Sequence, residues 1–311
     1  FGEDYGIGAK GYSLGPIEII AKANDFFRPI DRVYRVMDLQ PGQVNWGKIN
    51  SQPLPGAVRL WLWHVFAGGS KFTCTYRYRQ PIYGTELYHY GIVGPDGVTP
   101  TKSGLEYTQF IKEVAELRKE YKPDGKNPDA YEKRRTAILY NHENTWEMEK
   151  NRQTMEWSTE NHIDKYYNAL KNFGAPVDFI DERNDFSKYN VMIAPAYEML
   201  DKELVKRWIS YVEQGGNLVL TCRTGHKTRT GQLFEAPFGE PIYSLIGAKI
   251  DFYDLLQPRT PDQIVFDDHT YDWTSWGEVL IPEAKTEIWA TFQGDFYAGS
   301  PAIVNSRLGK G

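Results

Sequence analysis

Residues 33–46 read Val33-Tyr34-Arg35-Val36-Met37-Asp38-Leu39-Gln40-Pro41-Gly42-Gln43-Val44-Asn45-Trp46, and their reading decides the fold. The stretch begins with strand formers (Val33, Tyr34, Val36 and Met37), delivers the carboxylate of Asp38, and breaks at Pro41-Gly42. A short strand that ends in an acid and opens into a Pro/Gly loop is how α/β barrels present catalytic groups. The next strand-like run, Lys71 to Arg79, leads into a second loop carrying Gly84, Glu86 and His89. Between the two runs, Val58 to Ala67 is apolar and long enough for a crossover helix, so the order predicts a βαβ unit.

Working outward, Ile17, Ile20, Ala21, Ala23 and Phe27 repeat at helical spacing after Pro16, and Pro29 is expected to end that helix. The run around Leu60, Trp61, Trp63, Val65 and Phe66 is apolar nearly all round, which predicts a buried helix with His64 as a core histidine. Arg77 and Arg79 flank Tyr78; an Arg at a strand end either orients a carboxylate or makes a structural ion pair. After the turn signal Gly94-Pro95-Asp96-Gly97, Leu105 to Tyr121 is a charged amphipathic helix. Lys122 to Asp129 (KPDGKNPD) has the Pro, Gly and charge of a linker.

Downstream, strands at 136–140, 177–180, 191–194 and 217–222 alternate with helices at 161–173 and 202–213. That rhythm predicts a parallel, doubly wound sheet, with Gly174 and Gly215-Gly216 at helix C-caps. From about Asp262 the pieces are short and β-like, with Trp273, Trp276 and Trp289 among them. The domain reading is therefore 1–121 α/β, 122–135 linker, 136–258 α/β, and 259–311 the start of a β domain.

A net charge of −5 with no basic cluster argues against a nucleic-acid partner. No stretch is long and apolar enough for a membrane span. Nine Trp and twenty-one Tyr suit sugar binding, and they equally suit large cores. Cys74 and Cys222, the only two cysteines, form no metal or redox motif and read as buried thiols. Gly6, Gly8 and Gly11, in the Gly-rich run Phe1 to Leu14, follow no strand and lack dinucleotide-site spacing. Gly225 and Gly231 form no phosphate loop, so a nucleotide-binding role for the second α/β region has no support.

The run from Asp25 to about Leu117 resembles the C-terminal part of the catalytic barrel of glycoside hydrolase family 42, the β-galactosidases. The residues that carry the resemblance are Val36-Met37-Asp38, then Val44-Asn45-Trp46, then the Gly84-x-Glu86-x-x-His89 loop. The resemblance implies a TIM (β/α)8 barrel portion, followed by an amidotransferase-like domain that mediates trimer contacts and has lost its catalytic residues. It implies Asp38 as the nucleophile of a retaining hydrolase, with Trp46, Glu86 and His89 lining the sugar site. No cofactor and no metal site is expected, because nothing here builds the cysteine cluster that holds zinc in some members. The expected partners are a β-galactoside oligosaccharide and two further copies of the chain. The expected compartment is the cytoplasm, with the periplasm left open.

The family has Glu where this chain has Asp38, a side chain one methylene shorter, which sets the carboxylate back by about 1.5 Å. The chain opens at Phe1 with no signal peptide, and the resemblance places Phe1 well inside the barrel. A fragment is expected, with the general acid/base on absent sequence. The alternative is a carbohydrate-binding protein on a catalytically degenerate hydrolase scaffold.

Overall fold

The computed structural model describes residues 14–15, 17–31, 34–122, 129–257 and 260–311. The chain divides into two compact units, Phe1–Asn127 and Pro128–Gly311. The Gly-rich opening run up to residue 13 and the centre of the expected linker, residues 123–128, lie outside the described residues.

In the first unit, α1 (Ile17–Asp31) precedes β1 (Val36–Leu39), α2 (Ala57–Ala67), β2 (Thr73–Thr75) and α3 (Lys102–Glu120). β1 and β2 pair in parallel, with Val36 opposite Thr73 and Leu39 opposite Thr75, so the expected βαβ unit forms around α2. Three expectations change. α1 runs on through Pro29 to Asp31, and the residues it buries are Asn24 and Asp25, while Phe27 is exposed. Asn24 is inside because it bonds there: its Oδ1 accepts from the Tyr34 hydroxyl at 2.7 Å and its Nδ2 donates to the His64 carbonyl at 3.3 Å. Gly68 makes room for this, since a Cβ there would stand 2.3 Å from Asn24 Nδ2.

The second change concerns α2, which buries a stripe, Val58, Leu62 and Val65, at i, i+4, i+7 spacing, and leaves Leu60 exposed. Its Trp63 packs edge-on against Phe66 at 5.5 Å and Phe110 of α3 at 5.1 Å. Glu113 of α3 accepts from Arg59 Nε at 2.8 Å and from the Trp63 indole at 2.9 Å. Those bonds hold its carboxyl at about 2. The third change is at Lys71–Arg79, where only Thr73–Thr75 is strand. Beyond it the backbone turns to another partner: Ile92 and Val93 N–H donate to the carbonyls of Arg77 and Tyr78, and Gln80 N–H donates to Val93 O.

The second unit holds β3 (Thr136–Leu139), α4 (His142–Lys150), α5 (Thr159–Asn172), β4 (Val177–Ile180), β5 (Val191–Ala194), α6 (Lys202–Glu213) and β6 (Asn217–Leu220). The four strands form one parallel sheet in the order β4-β3-β5-β6, the order of doubly wound sheets. β3 and β4 are buried at every residue, which is why they read as continuous rather than alternating apolar runs. The core gathers Leu139, Met192, Tyr197, Leu204 and Trp208 among others. Gly174 and Gly215 take positive φ at the helix ends, as the sequence pattern predicts. α4 is an element the rhythm did not reveal.

The β-rich part starts earlier than expected. β7 (Ala248–Asp254) lies before residue 259 and pairs antiparallel with β10 (Gly277–Pro282). A second antiparallel sheet has the order β12-β11-β8-β9, from β8 (Asp262–Phe266), β9 (His269–Trp273), β11 (Glu287–Phe292) and β12 (Pro301–Asn305). Val279, Phe292 and Tyr297 join Phe252, Ile264 and Trp273 in one small core drawn from both sheets. The contacts keep this part in the same compact unit as the parallel sheet. Among the described residues no helix is long and apolar enough to cross a membrane.

Candidate functional site

Asp38 is the third residue of the four-residue β1 and is exposed, so strand geometry delivers its carboxylate at the C-terminal end of a parallel strand. It makes no hydrogen bond or ion pair with a described residue. Its charge is felt by Tyr107 of α3, whose phenol is pushed up to about 12, chiefly by burial and in part by the Asp38 carboxylate. The Tyr107 hydroxyl accepts from Thr75 Oγ1 at 2.9 Å and lies 3.5 Å from the Gln40 carbonyl, just past β1.

The loop after β2 is held at successive residues. Thr85 O accepts from Asn45 Nδ2 at 3.0 Å, Glu86 O from His89 N–H at 2.9 Å, and Leu87 O from Gln80 Nε2 at 2.9 Å. The Asn45–Thr85 bond joins the loop bearing Trp46 to the loop bearing Glu86, because each bonded residue is the chain neighbour of a site residue. Trp46 is about half exposed.

Glu86 carries the charge of this loop. Its Oε2 is ion-paired with Arg77 Nη2 and accepts from the Tyr76 hydroxyl at 2.9 Å. Its other oxygen, Oε1, has no partner among the described residues, and 40% of the side chain is exposed. Of the two arginines flanking Tyr78, Arg77 therefore serves a carboxylate, while Arg79 donates to the Pro95 carbonyl and braces a turn.

His89 lies deeper than Glu86. The sequence reading has it sharing sugar hydroxyls with Glu86, yet it is only 2% exposed. Its Nδ1 donates to Tyr90 O at 3.0 Å, and its Nε2 sits 2.9 Å from the Gln40 side-chain amide. The Gln40 atom facing Nε2 is Oε1, so through Gln40 His89 ties the loop to the end of β1. Glu86 and His89 are not bonded side chain to side chain. Gln40, Tyr76 and Tyr107 escaped the sequence reading, and Asn45 entered it only as part of the Val44-Asn45-Trp46 motif. Their partners lie ten to sixty-seven residues away, beyond any spacing rule.

None of Asp38, Trp46, Glu86 or His89 borders the open hollow of about 540 Å³ that is lined by Gln80, Tyr90, Asp96 and Lys102. Among the described residues no group of His, Cys, Asp and Glu could hold a metal ion.

In the second unit, Cys222 follows β6 at the C-terminal end of the parallel sheet. His162 of α5 bonds Thr221 Oγ1 at 2.9 Å, a proximity the sequence did not show. Burial and the Glu278 carboxylate hold the Cys222 thiol far above its normal range, and burial lowers His162 to about 4. Both groups are kept neutral, the reverse of an activated cysteine–histidine pair.

A free carboxylate at a parallel strand's C-terminal end, with a second acid and an aromatic on adjoining loops, is the arrangement in which parallel α/β folds present functional groups. Comparison with known proteins gives the particular group. Residues 12–117 match the family model described as β-galactosidase, and residues 134–311 match the one described as β-galactosidase trimerisation domain. The chain belongs to the family 42 β-galactosidases. The parallel sheet and the whole β-rich part fall within the second match.

The chain is 30% identical to β-galactosidase BgaH of Haloferax lucentense, over 89% of this chain and 40% of that protein. Its fold is similar to that of a polyextremophilic β-galactosidase from the Antarctic haloarchaeon Halorubrum lacusprofundi, with TM-score 0.88, 26% identity, and coverage of 97% of this chain and 44% of that one. It is also similar to a β-galactosidase from Bacillus circulans sp. alkalophilus, with TM-score 0.86, 25% identity, and coverage of 96% and 44%. The chain thus spans about two fifths of the length of these relatives.

Proposed function

We propose that the whole protein is a retaining β-galactosidase in which Asp38 is the nucleophile. The first unit is the C-terminal portion of its TIM barrel, and the second is an amidotransferase-like domain that joins three copies. The observation that carries this reading is Asp38 itself, exposed and unpaired at the end of β1 within the residues matched by the β-galactosidase model. Retaining hydrolysis needs a second carboxyl group about 5–5.5 Å from the first. Glu86 is committed to Arg77 and Tyr76, so the general acid/base comes from sequence outside this chain. Asp38 attacks the anomeric carbon, the acid protonates the departing oxygen, and water then releases the sugar from Asp38. Glu86 Oε1 accepts from a sugar hydroxyl, and Trp46 offers an apolar wall to the ring.

The short side chain of Asp38 gives a test in two directions. Asp38→Glu in the whole protein is expected to speed hydrolysis of an aryl β-galactoside, and Asp38→Asn to slow it by at least about a thousandfold. Parent-like turnover by Asp38→Asn removes the nucleophile assignment. Galactose binding with no turnover in the parent or in Asp38→Glu supports the binding-protein alternative instead.

A further inference from the structure

Glu86 is fixed in three places by its backbone and in one by its carboxylate, and the second kind of restraint comes from residues to which no role has been given. The carbonyls of Thr85, Glu86 and Leu87 are each bonded, so the main chain at Glu86 has little freedom. What remains is side-chain rotation. Arg77 and Tyr76 stop it by converging on one oxygen, Oε2. The Arg77 guanidinium lies over the Tyr76 ring at 4.2 Å, and His89 meets that ring edge-on at 5.6 Å. His89 is buried and bonded to Gln40, so the stack stands on a fixed base.

We infer that Arg77 and Tyr76 are positioning residues for sugar recognition. By occupying Oε2 they aim Oε1 of Glu86 at one hydroxyl of the substrate. This rests on the reading of Glu86 as a substrate contact. A guanidinium suits the task better than an ammonium, since it holds a carboxylate in a fixed plane while stacking on a ring. Neither side chain needs to touch the substrate. Their effect belongs to ground-state binding and to discrimination between sugars that differ at a single hydroxyl.

The experiment is a mutant cycle in the whole protein, with kcat and KM measured on an aryl β-galactoside and on the corresponding β-glucoside. Glu86→Gln alone tests the underlying reading, and an unchanged KM there removes the substrate role of Glu86 itself. Given an effect of Glu86→Gln, Arg77→Met is expected to raise the galactoside KM about tenfold with kcat within about threefold. It is also expected to narrow the preference over the glucoside. The double variant is expected to be no worse than Glu86→Gln alone, because Arg77 acts through Glu86. Tyr76→Phe removes one hydroxyl and is expected to raise KM about threefold without lowering the melting temperature, which keeps the test open if Arg77→Met folds poorly. Arg77→Lys is expected to recover part of the loss. Additive effects in the double variant, or a lowered melting temperature at unchanged KM in the single variants, would show a brace and overturn the proposal.

Discussion

In the first unit Arg77 lies over Tyr76 and pairs with Glu86; in the second, Arg223 lies against both Trp157 and Trp276, at 4.8 and 4.7 Å, and pairs with Glu198 at 3.1 Å. The parts are the same and the surroundings differ. Arg223 and Glu198 are 1% and 3% exposed. Glu198 accepts from Arg223 at Oε1, and its Oε2 is ion-paired with Lys227 Nζ at 3.1 Å without a hydrogen bond. Lys227 goes on to Glu147 at 3.0 Å, and Glu278 accepts from Arg223 N–H at 2.7 Å and from the Trp276 indole at 3.0 Å. Arg223 itself also donates to the carbonyls of Asn151 and Arg152. The Glu86 side chain, by contrast, is 40% exposed and has one oxygen without a partner among the described residues. A buried set of charges paired among themselves is a structural element, whereas a half-exposed carboxylate with one oxygen unused can still accept from a ligand.

The largest expected effect breaks the closed network. Arg223→Met removes one partner from a buried set of charges and leaves Glu198 leaning on Lys227 alone, a change that costs about 3–5 kcal/mol. Urea denaturation of the variant is expected to show that loss, with KM for a galactoside unchanged in the fraction that remains folded. A variant as stable as the parent would mean that Arg223 is dispensable, and the contrast with Arg77 would collapse.

A smaller effect is expected at Glu86, and of the opposite kind. Glu86→Gln keeps the shape but gives up the charge that Oε1 offers in the proposed contact with a substrate hydroxyl. A hydrogen bond to a charged acceptor contributes about 1.5–3 kcal/mol, which corresponds to galactose binding weakened by tens of fold. The melting temperature should hardly move, because the lost partner of Arg77 is partly exposed. Unchanged affinity with a large thermal loss would place Glu86 in the same category as Glu198.

The two regions also differ in how far they were legible in the sequence. The parallel sheet was plain in outline because β3 and β4 are buried on both faces. Burial on both faces writes continuous apolar runs punctuated by helix-capping glycines. In the first unit, Val36-Met37-Asp38 placed the strand-end acid correctly, since only local propensity and a Pro/Gly break were needed. Lys71–Arg79 misled because propensity asks only whether a residue suits a strand. The ladder with β1 ends at Thr75, and the rest bonds residues 92–93 instead. The burial of His89 was not legible because its partner, Gln40, lies forty-nine residues away. α1 misled because the Asn24 side chain is solvated by protein groups from Tyr34 and His64, which no periodicity announces. Arg223 gave no sign of burial at all, since an arginine is placed at the surface by default.

The smallest effect sharpens the comparison at a residue that touches neither pair. Tyr107 sits behind Asp38, with its hydroxyl accepting from Thr75 and its pKa raised from 10 to about 12. Tyr107→Phe leaves Thr75 Oγ1 without its acceptor and should lower stability at pH 7 by about 1 kcal/mol. The sign of the pH dependence follows from the folded pKa lying above the unfolded one. The phenol's contribution is complete below pH 10, and it is lost as pH rises from 10 toward 12, because the unfolded chain ionises first. The parent should therefore lose more stability than the Phe variant between pH 8 and pH 10.5, and the gap between them should close. Because the Asp38 charge accounts for part of the raised pKa, Tyr107 in Asp38→Asn should titrate lower than in the parent, which ultraviolet difference spectroscopy reads directly. A gap that stays constant with pH, together with an unaltered titration in Asp38→Asn, would show that Tyr107 does not stand against the strand-end acid, and the geometry assigned to the end of β1 would have to be redrawn.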